Sequence, residues 1–274
     1  SSTCGLSHLM LGFMPSQDTC DPEWVTTDPA VETRFSPLAA GLESWYSGPN
    51  GNYFTEHFSM SMTVWNGKLI NGGYFNLAGG IPARNIAAWD GTNWSALGGG
   101  MNHEVTDIAE YNGELYATGY FDSAGTTVAR CIAMWNGASW NEVGGGLNLF
   151  GNVLKVFNGD LIVGGWFSAV GETYAPYIAR WDGTQWHSMN IGMTGPVYAL
   201  EEFEGELYAA GSFQYAGIEE CNGIARWDGF KWNPAGTGIA GTNSMISDLT
   251  LYNGELYAGG SFITMNGVDC YNIA

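Results

Sequence analysis

The chain has 274 residues, 13% charged and 14% aromatic, with 41 glycines, and its 27 acidic against 8 basic residues give a formal net charge of −19. So few Lys and Arg argue against nucleic acid as a partner and disfavour anionic lipid, because both need clustered cations. No apolar run approaches the ~18 residues that span a bilayer, and many glycines beside many aromatics point to short strands joined by tight turns.

Residues 1–33 form an expected N-terminal arm. It opens Ser1-Ser2-Thr3-Cys4, as a secreted product does once its signal is removed, or as an excised fragment does. Cys4 and Cys20 flank the apolar stretch Leu9, Met10, Leu11, Phe13, Met14 and are expected to pair as a disulfide, which places the chain in an oxidising compartment, extracellular or at the cell surface. Cys131, Cys221 and Cys270 complete an odd set of five. No C-x-x-C occurs, so zinc and redox readings are weak, and at least one thiol stays free or intermolecular.

From residue 58 onward the chain repeats. An aromatic followed by an x-Gly turn occurs at Trp65-Asn66-Gly67, Tyr111-Asn112-Gly113, Phe157-Asn158-Gly159, Phe203-Glu204-Gly205 and Tyr252-Asn253-Gly254. A second marker, Trp-Asp/Asn-Gly-x-x-Trp, runs Trp89 to Trp94, Trp135 to Trp140, Trp181 to Trp186 and Trp227 to Trp232, at a spacing of 46 residues. Two interleaved markers with one period define a repeat unit. Each unit predicts four short strands, a to d. Asn-Gly joins a to b through a two-residue type I′ turn. Strand c is the Ile-Ala-x-Trp run, the Asp-Gly or Asn-Gly between the tryptophans turns c into d, and d begins at the second Trp. Four antiparallel strands per ~46 residues is the unit of a propeller blade. The expected fold is all-β, a five-bladed β-propeller of four-stranded antiparallel blades.

The fifth copy stops at Tyr271-Asn272-Ile273-Ala274, inside strand c. Residues 34–42 align with strand d, Phe35 to Leu42 against Trp94 to Met101. An N-terminal strand is therefore expected to complete the last blade and close the ring, which removes exposed sheet edges. Residues 43–57 are an insertion carrying Trp45, Tyr46, Tyr53 and Phe54.

The blades resemble those of kelch-like propellers, as in the central domain of galactose oxidase, on the Gly-Gly pairs at 72–73, 164–165 and 259–260 followed by spaced aromatics. They are similar also to extracellular repeats reading LYAGGSF…NIARWDGTxW…LGGG, parts of which residues 256–262 and 178–186 nearly spell. Copies two and four depart conservatively, with Thr118-Gly119 and Ala210-Gly211. The resemblance implies the fold and is almost silent on activity; no copper ligands of galactose oxidase are matched.

No catalytic constellation stands out. His8, His57, His103 and His187 neither recur nor form an H-x-x-x-H pair, and no G-x-S-x-G, P-loop or zinc-ligand spacing occurs. Asp90, Asp182 and Asp228 read as turn residues, with calcium ligation the alternative; no other cofactor is implied. Asp107 and Asp248 share one position of strand a and are candidates to line a central channel, where paired carboxylates bind a cation or act as acid and base. The periodic tryptophans are expected to be blade packing. Apolar additions on an acidic toroid mark contact surfaces, so the arm and the insertion are the candidate binding surfaces. The reading that follows is a non-catalytic secreted or surface module for protein interaction, self-association or assembly, such as a filament, sheath or adhesin subunit. A carbohydrate-binding propeller is the alternative, and a glycan-active propeller enzyme a weaker one.

Overall fold

The computed structural model describes residues 58–274. The arm with Cys4 and Cys20, strand 34–42 and insertion 43–57 lie outside the described residues. Within them every regular element is a strand, and there is no helix.

Four successive repeats each form one antiparallel sheet in the order a-b-c-d. The first holds Phe58–Trp65, Lys68–Tyr74, Ile86–Trp89 and Trp94–Ala96; the second Val105–Tyr111, Glu114–Gly119, Ile132–Trp135 and Trp140–Glu142. The third holds Gly151–Phe157, Asp160–Gly165, Ile178–Trp181 and Trp186–Ser188; the fourth Val197–Phe203, Glu206–Gly211, Ile224–Trp227 and Trp232–Pro234. The last repeat pairs Met245–Tyr252 with Glu255–Ser261, and strand c is represented by the bridge Gly259–Ile273. The a strands of successive sheets lie side by side, the arrangement of a β-propeller.

Local backbone chemistry sets each sheet's register. At the a–b turns both central residues have positive φ, as at Asn66 (48°) and Gly67 (71°), the combination a type I′ hairpin requires. Glu204 sits in the same conformation at φ 53°, where its Cβ crowds the following carbonyl and Asn is better tolerated. Glu204→Asn is expected to stabilise the protein by ~1 kcal/mol, read as a rise in the urea unfolding midpoint at unchanged slope.

Sheet packs on sheet through matched large and small residues. A Cβ on Gly72 would stand 2.7 Å from Val105 of the next sheet, and one on Gly164 2.6 Å from Val197. Each strand-c Trp faces a strand-d Trp across the hairpin, with ring centroids 5.5, 5.3, 5.1 and 5.1 Å apart in the four sheets. The second Trp also ties its sheet to the preceding one. Trp140 Nε1 donates to Leu97 O at 3.0 Å, Trp186 Nε1 to Val143 O at 3.1 Å and Trp232 Nε1 to Met189 O at 3.1 Å. At the inner ends, Trp65 Nε1 donates to Gly113 O and Tyr111 Oη to Gly159 O, each at 3.0 Å. The Gly-rich stretch after strand d leaves room for this packing: a Cβ on Gly98 would lie 2.2 Å from the Trp135 ring.

The b–c loops are more ordered than the sequence suggests. Each of the first four contains a two-residue ribbon, such as Leu77–Ala78 with Ile81–Pro82 and Ser123–Ala124 with Thr127–Val128. The residue after the glycines then bridges to the next repeat's ribbon, as Met101–Ala124, Leu147–Val170 and Met193–Ala216.

Candidate binding face at the axis

Strand-a side chains first serve the joints between sheets. Thr106 Oγ1 donates to Gly151 O (2.8 Å), and Asn152 Nδ2, at the equivalent position one repeat later, donates to Val197 O (2.9 Å). Asp107 does more. Its Oδ1 accepts from Ser61 Oγ at 2.6 Å and from Ile108 N at 2.8 Å, and its Oδ2 accepts from Leu154 N at 2.7 Å. One carboxylate thus joins three sheets. Its Oδ2 is turned to the Leu154 amide of the next sheet, and hydrogen bonds to a charged acceptor are strong. Asp248 borders a concave space at the strand-a edges of the sheets.

That space is a cavity of about 700 Å³, bounded by strand-a and strand-b residues from all five repeats, Met60, Thr106, Asn152, Tyr198 and Asp248 among them. Glu104, Tyr120 and Trp166 also line it. Tyr120 and Trp166 belong to a continuous arc of rings. Phe58, Tyr74, His103, Tyr120, Phe150, Trp166 and Tyr198 follow one another with centroid steps of 6.1, 6.1, 6.0, 4.0, 5.9 and 6.3 Å. Tyr120 is 41% exposed and Trp166 40%. Burial pushes the Tyr120 and Tyr198 hydroxyls above their ordinary pKa, helped by Glu104 near the first and by Tyr120 near the second. Both therefore stay protonated at neutral pH.

The arc is not part of the repeat's packing. Tyr74, Tyr120 and Trp166 precede the marker residues Phe75, Phe121 and Phe167 by one position, but copies four and five have Ser212 and Ser261 there. The Tyr/Trp position is thus filled in copies one to three only. Spacing alone offered this signal, and it was not among the sequence-derived candidates.

The turn carboxylates are committed locally. Asp90 Oδ1 accepts from Asn93 N and Thr92 N, Asp182 Oδ1 from Thr184 and Gln185, and Asp228 Oδ1 from Lys231 N and Phe230 N. Asn136 forms the same turn in the second sheet. His187 Nε2 meets Asp182 Oδ2 at 2.7 Å. These bonds depress all three carboxyls. Asp90 is lowered by the Asn93 and Thr92 amides, Asp182 by the Thr184 hydroxyl and His187, and Asp228 falls to about 2 through the Lys231 and Phe230 amides. A carboxyl lowered in the folded state stabilises the fold above its unfolded value of ~3.9, and that contribution disappears as pH falls through the folded value. The Asp turns should therefore weaken between roughly pH 4 and 2 while the Asn136 turn does not. Amide chemical shifts of Lys231 and Ser139 through an acid titration check this, with a midpoint near the folded Asp228 value expected at Lys231 only.

The eight periodic tryptophans are structural neighbours: Trp94, Trp135, Trp140, Trp181, Trp186 and Trp232 are buried, and Trp89 and Trp227 half-buried. Cys131, Cys221 and Cys270 are free thiols, and burial raises the first to about 11 and also raises the second. Among the described residues no group of three or more His, Cys, Asp and Glu is placed to hold a metal, and no helix is long and apolar enough to cross a membrane. Leu9, Met10, Leu11, Phe13, Met14, Trp45, Tyr46, Tyr53 and Phe54 lie outside the described residues.

No known protein family matches the chain, and no curated protein does. Parts of solved structures align with it. The WD40 repeats of RRP9 align with a TM-score of 0.48 at 15% identity, covering 74% of this chain and 59% of theirs. The extracellular domain of the putative hybrid two component system BT4673 from B. thetaiotaomicron aligns at 0.49 and 11%, covering 78% of this chain and 26% of that one. The WD40 beta propeller domain of Doa1 aligns at 0.43 and 12%, covering 73% and 60%. The chain thus spans less than two thirds of the length of each of these structures, and its β-propeller architecture rests on its own sheets.

Proposed function

We propose that the chain is a non-catalytic binding and assembly module that works outside the cell, built as a closed ring of five kelch-like blades. The observation that carries the binding role is the seven-ring arc at the axial cavity. Half-exposed Tyr and Trp beside a concave space are the composition of recognition surfaces. The arc is dispensable for packing, since copies four and five lack its Tyr/Trp position.

Closure is supported by complementary faces on the first and last repeats. Tyr252 occupies the place of Tyr111 but is 64% exposed against 3%. Met62 occupies the place of Ile108 but is 48% exposed against 5%. A Cβ on Gly259 would meet nothing within 4 Å, unlike Gly72 and Gly164. Ser247 Oγ, at the position where Thr106 donates to the next sheet, is buried with no hydrogen-bond partner among the described residues. Seating the first repeat on the last supplies Tyr252, Met62, Gly259 and Ser247 with neighbours of the kind their equivalents have.

Assembly is tested by mass measurement in solution over a wide concentration range; a strictly monomeric species at the highest concentration removes it. Class averages of negatively stained particles test closure, with five sectors expected. Tyr120→Ala with Trp166→Ala tests the face, and partner binding that survives the double substitution unchanged removes it. The glycan alternative loses its repeated platforms, because the periodic tryptophans are inside.

A further inference from the structure

The chemistry of the axial cavity narrows what it receives. Among the described residues its walls carry two carboxylates, Glu104 and Asp248, and no Lys, Arg or His. Among its polar groups, the Thr106 hydroxyl and Asn152 amide already donate to main-chain carbonyls, which leaves Glu104 and Asp248 as its charged groups. Tyr120, Trp166 and Tyr198 add ring faces of negative quadrupole. The molecule around the cavity is acidic throughout, with a formal net charge of −19. Of its basic residues, Lys155 is ion-paired across sheets to Glu201, and Arg180 and Arg226 within their sheets to Asp160 and Glu206. An anion needs cations, which the described walls do not offer. An organic cation needs aromatic faces with carboxylates beside them and a field that draws it in.

We infer that the axial cavity takes the guanidinium or ammonium of an Arg or Lys side chain, presented by an extended basic segment of a partner protein. The cation stacks against Trp166 and Tyr120 and meets Glu104, while the segment's backbone crosses the aromatic arc. A volume of about 700 Å³ accommodates one such side chain with flanking peptide, within the range of ordinary ligand sites. The inference rests on the proposed binding face and adds the chemistry of its partner.

The test is calorimetric titration of the full chain at 0.15 M salt with three probes. These are a capped decapeptide alternating Arg and Gly, the same peptide with Glu for Arg, and a neutral hexasaccharide. The Arg peptide is expected to bind one per chain, and Glu104→Gln and Trp166→Ala each to weaken it at least ~10-fold. Glu202→Gln, on an exposed strand position away from the cavity, should leave it unchanged. Glu104→Gln removes charge with little change of shape, so its effect is not a folding defect. Binding of several Arg peptides per chain, or binding indifferent to Trp166→Ala and Glu104→Gln, overturns the inference as mere attraction to an acidic surface. Hexasaccharide binding that depends on Trp166, without Arg-peptide binding, overturns the cation and keeps the face. Silence of all three probes overturns the inference.

Discussion

Trp232→Ala is expected to lower stability by ~3–5 kcal/mol, the cost of emptying a large aromatic site in a packed interior. The side chain is 1% exposed, lies 5.1 Å from the Trp227 ring and donates to Met189 O of the preceding sheet. Truncation therefore leaves a cavity, removes a ring pair and strands a buried carbonyl together. Trp232→Phe separates these effects. It keeps most of the ring contact and loses the N–H, so its cost should fall to ~1–3 kcal/mol. Urea unfolding followed by far-UV circular dichroism gives both values. A Trp232→Ala loss below 1 kcal/mol would mean that the tryptophan pairs are not what joins the sheets.

Asp107→Ala should be nearly as damaging, at ~3 kcal/mol, because it leaves Ser61 Oγ and the Leu154 amide without their charged acceptor. The damage should be local in a way a core truncation is not. Amide exchange at Leu154, in the third sheet, is expected to accelerate on substituting a residue of the second. Asp107→Asn should fall between wild type and alanine, since an amide offers one acceptor oxygen where the carboxylate offers two. Unchanged exchange at Leu154 would show that the carboxylate does not bridge the sheets.

The two periodic markers made the sheets readable before any coordinates. Strand c is expected in the Ile-Ala-x-Trp run and strand a just before the x-Gly turn, and in the fourth repeat Ile224–Trp227 and Val197–Phe203 are those strands. Asn-Gly turns, with positive φ at both positions, account for this legibility, because they fix register locally. The ribbons of the b–c loops escaped because two-residue pairings leave no alternation to detect. Asp107 and Asp248 looked alike because they share a repeat position; what distinguishes them is the neighbouring sheet, which lies elsewhere in the sequence. The aromatic arc was half legible. Tyr74, Tyr120 and Trp166 are one period apart, whereas His103, Phe150 and Tyr198 come from different repeat positions and converge only in three dimensions.

The indole bonds that cross from one sheet to its predecessor have a spectroscopic consequence. Trp140, Trp186 and Trp232 each sit in one sheet and donate to the next sheet back, so their emission responds to the gap between sheets before any hairpin melts. A red shift preceding the loss of β-sheet signal would register the sectors parting as rigid plates, and single-tryptophan variants would tell which gap opens first.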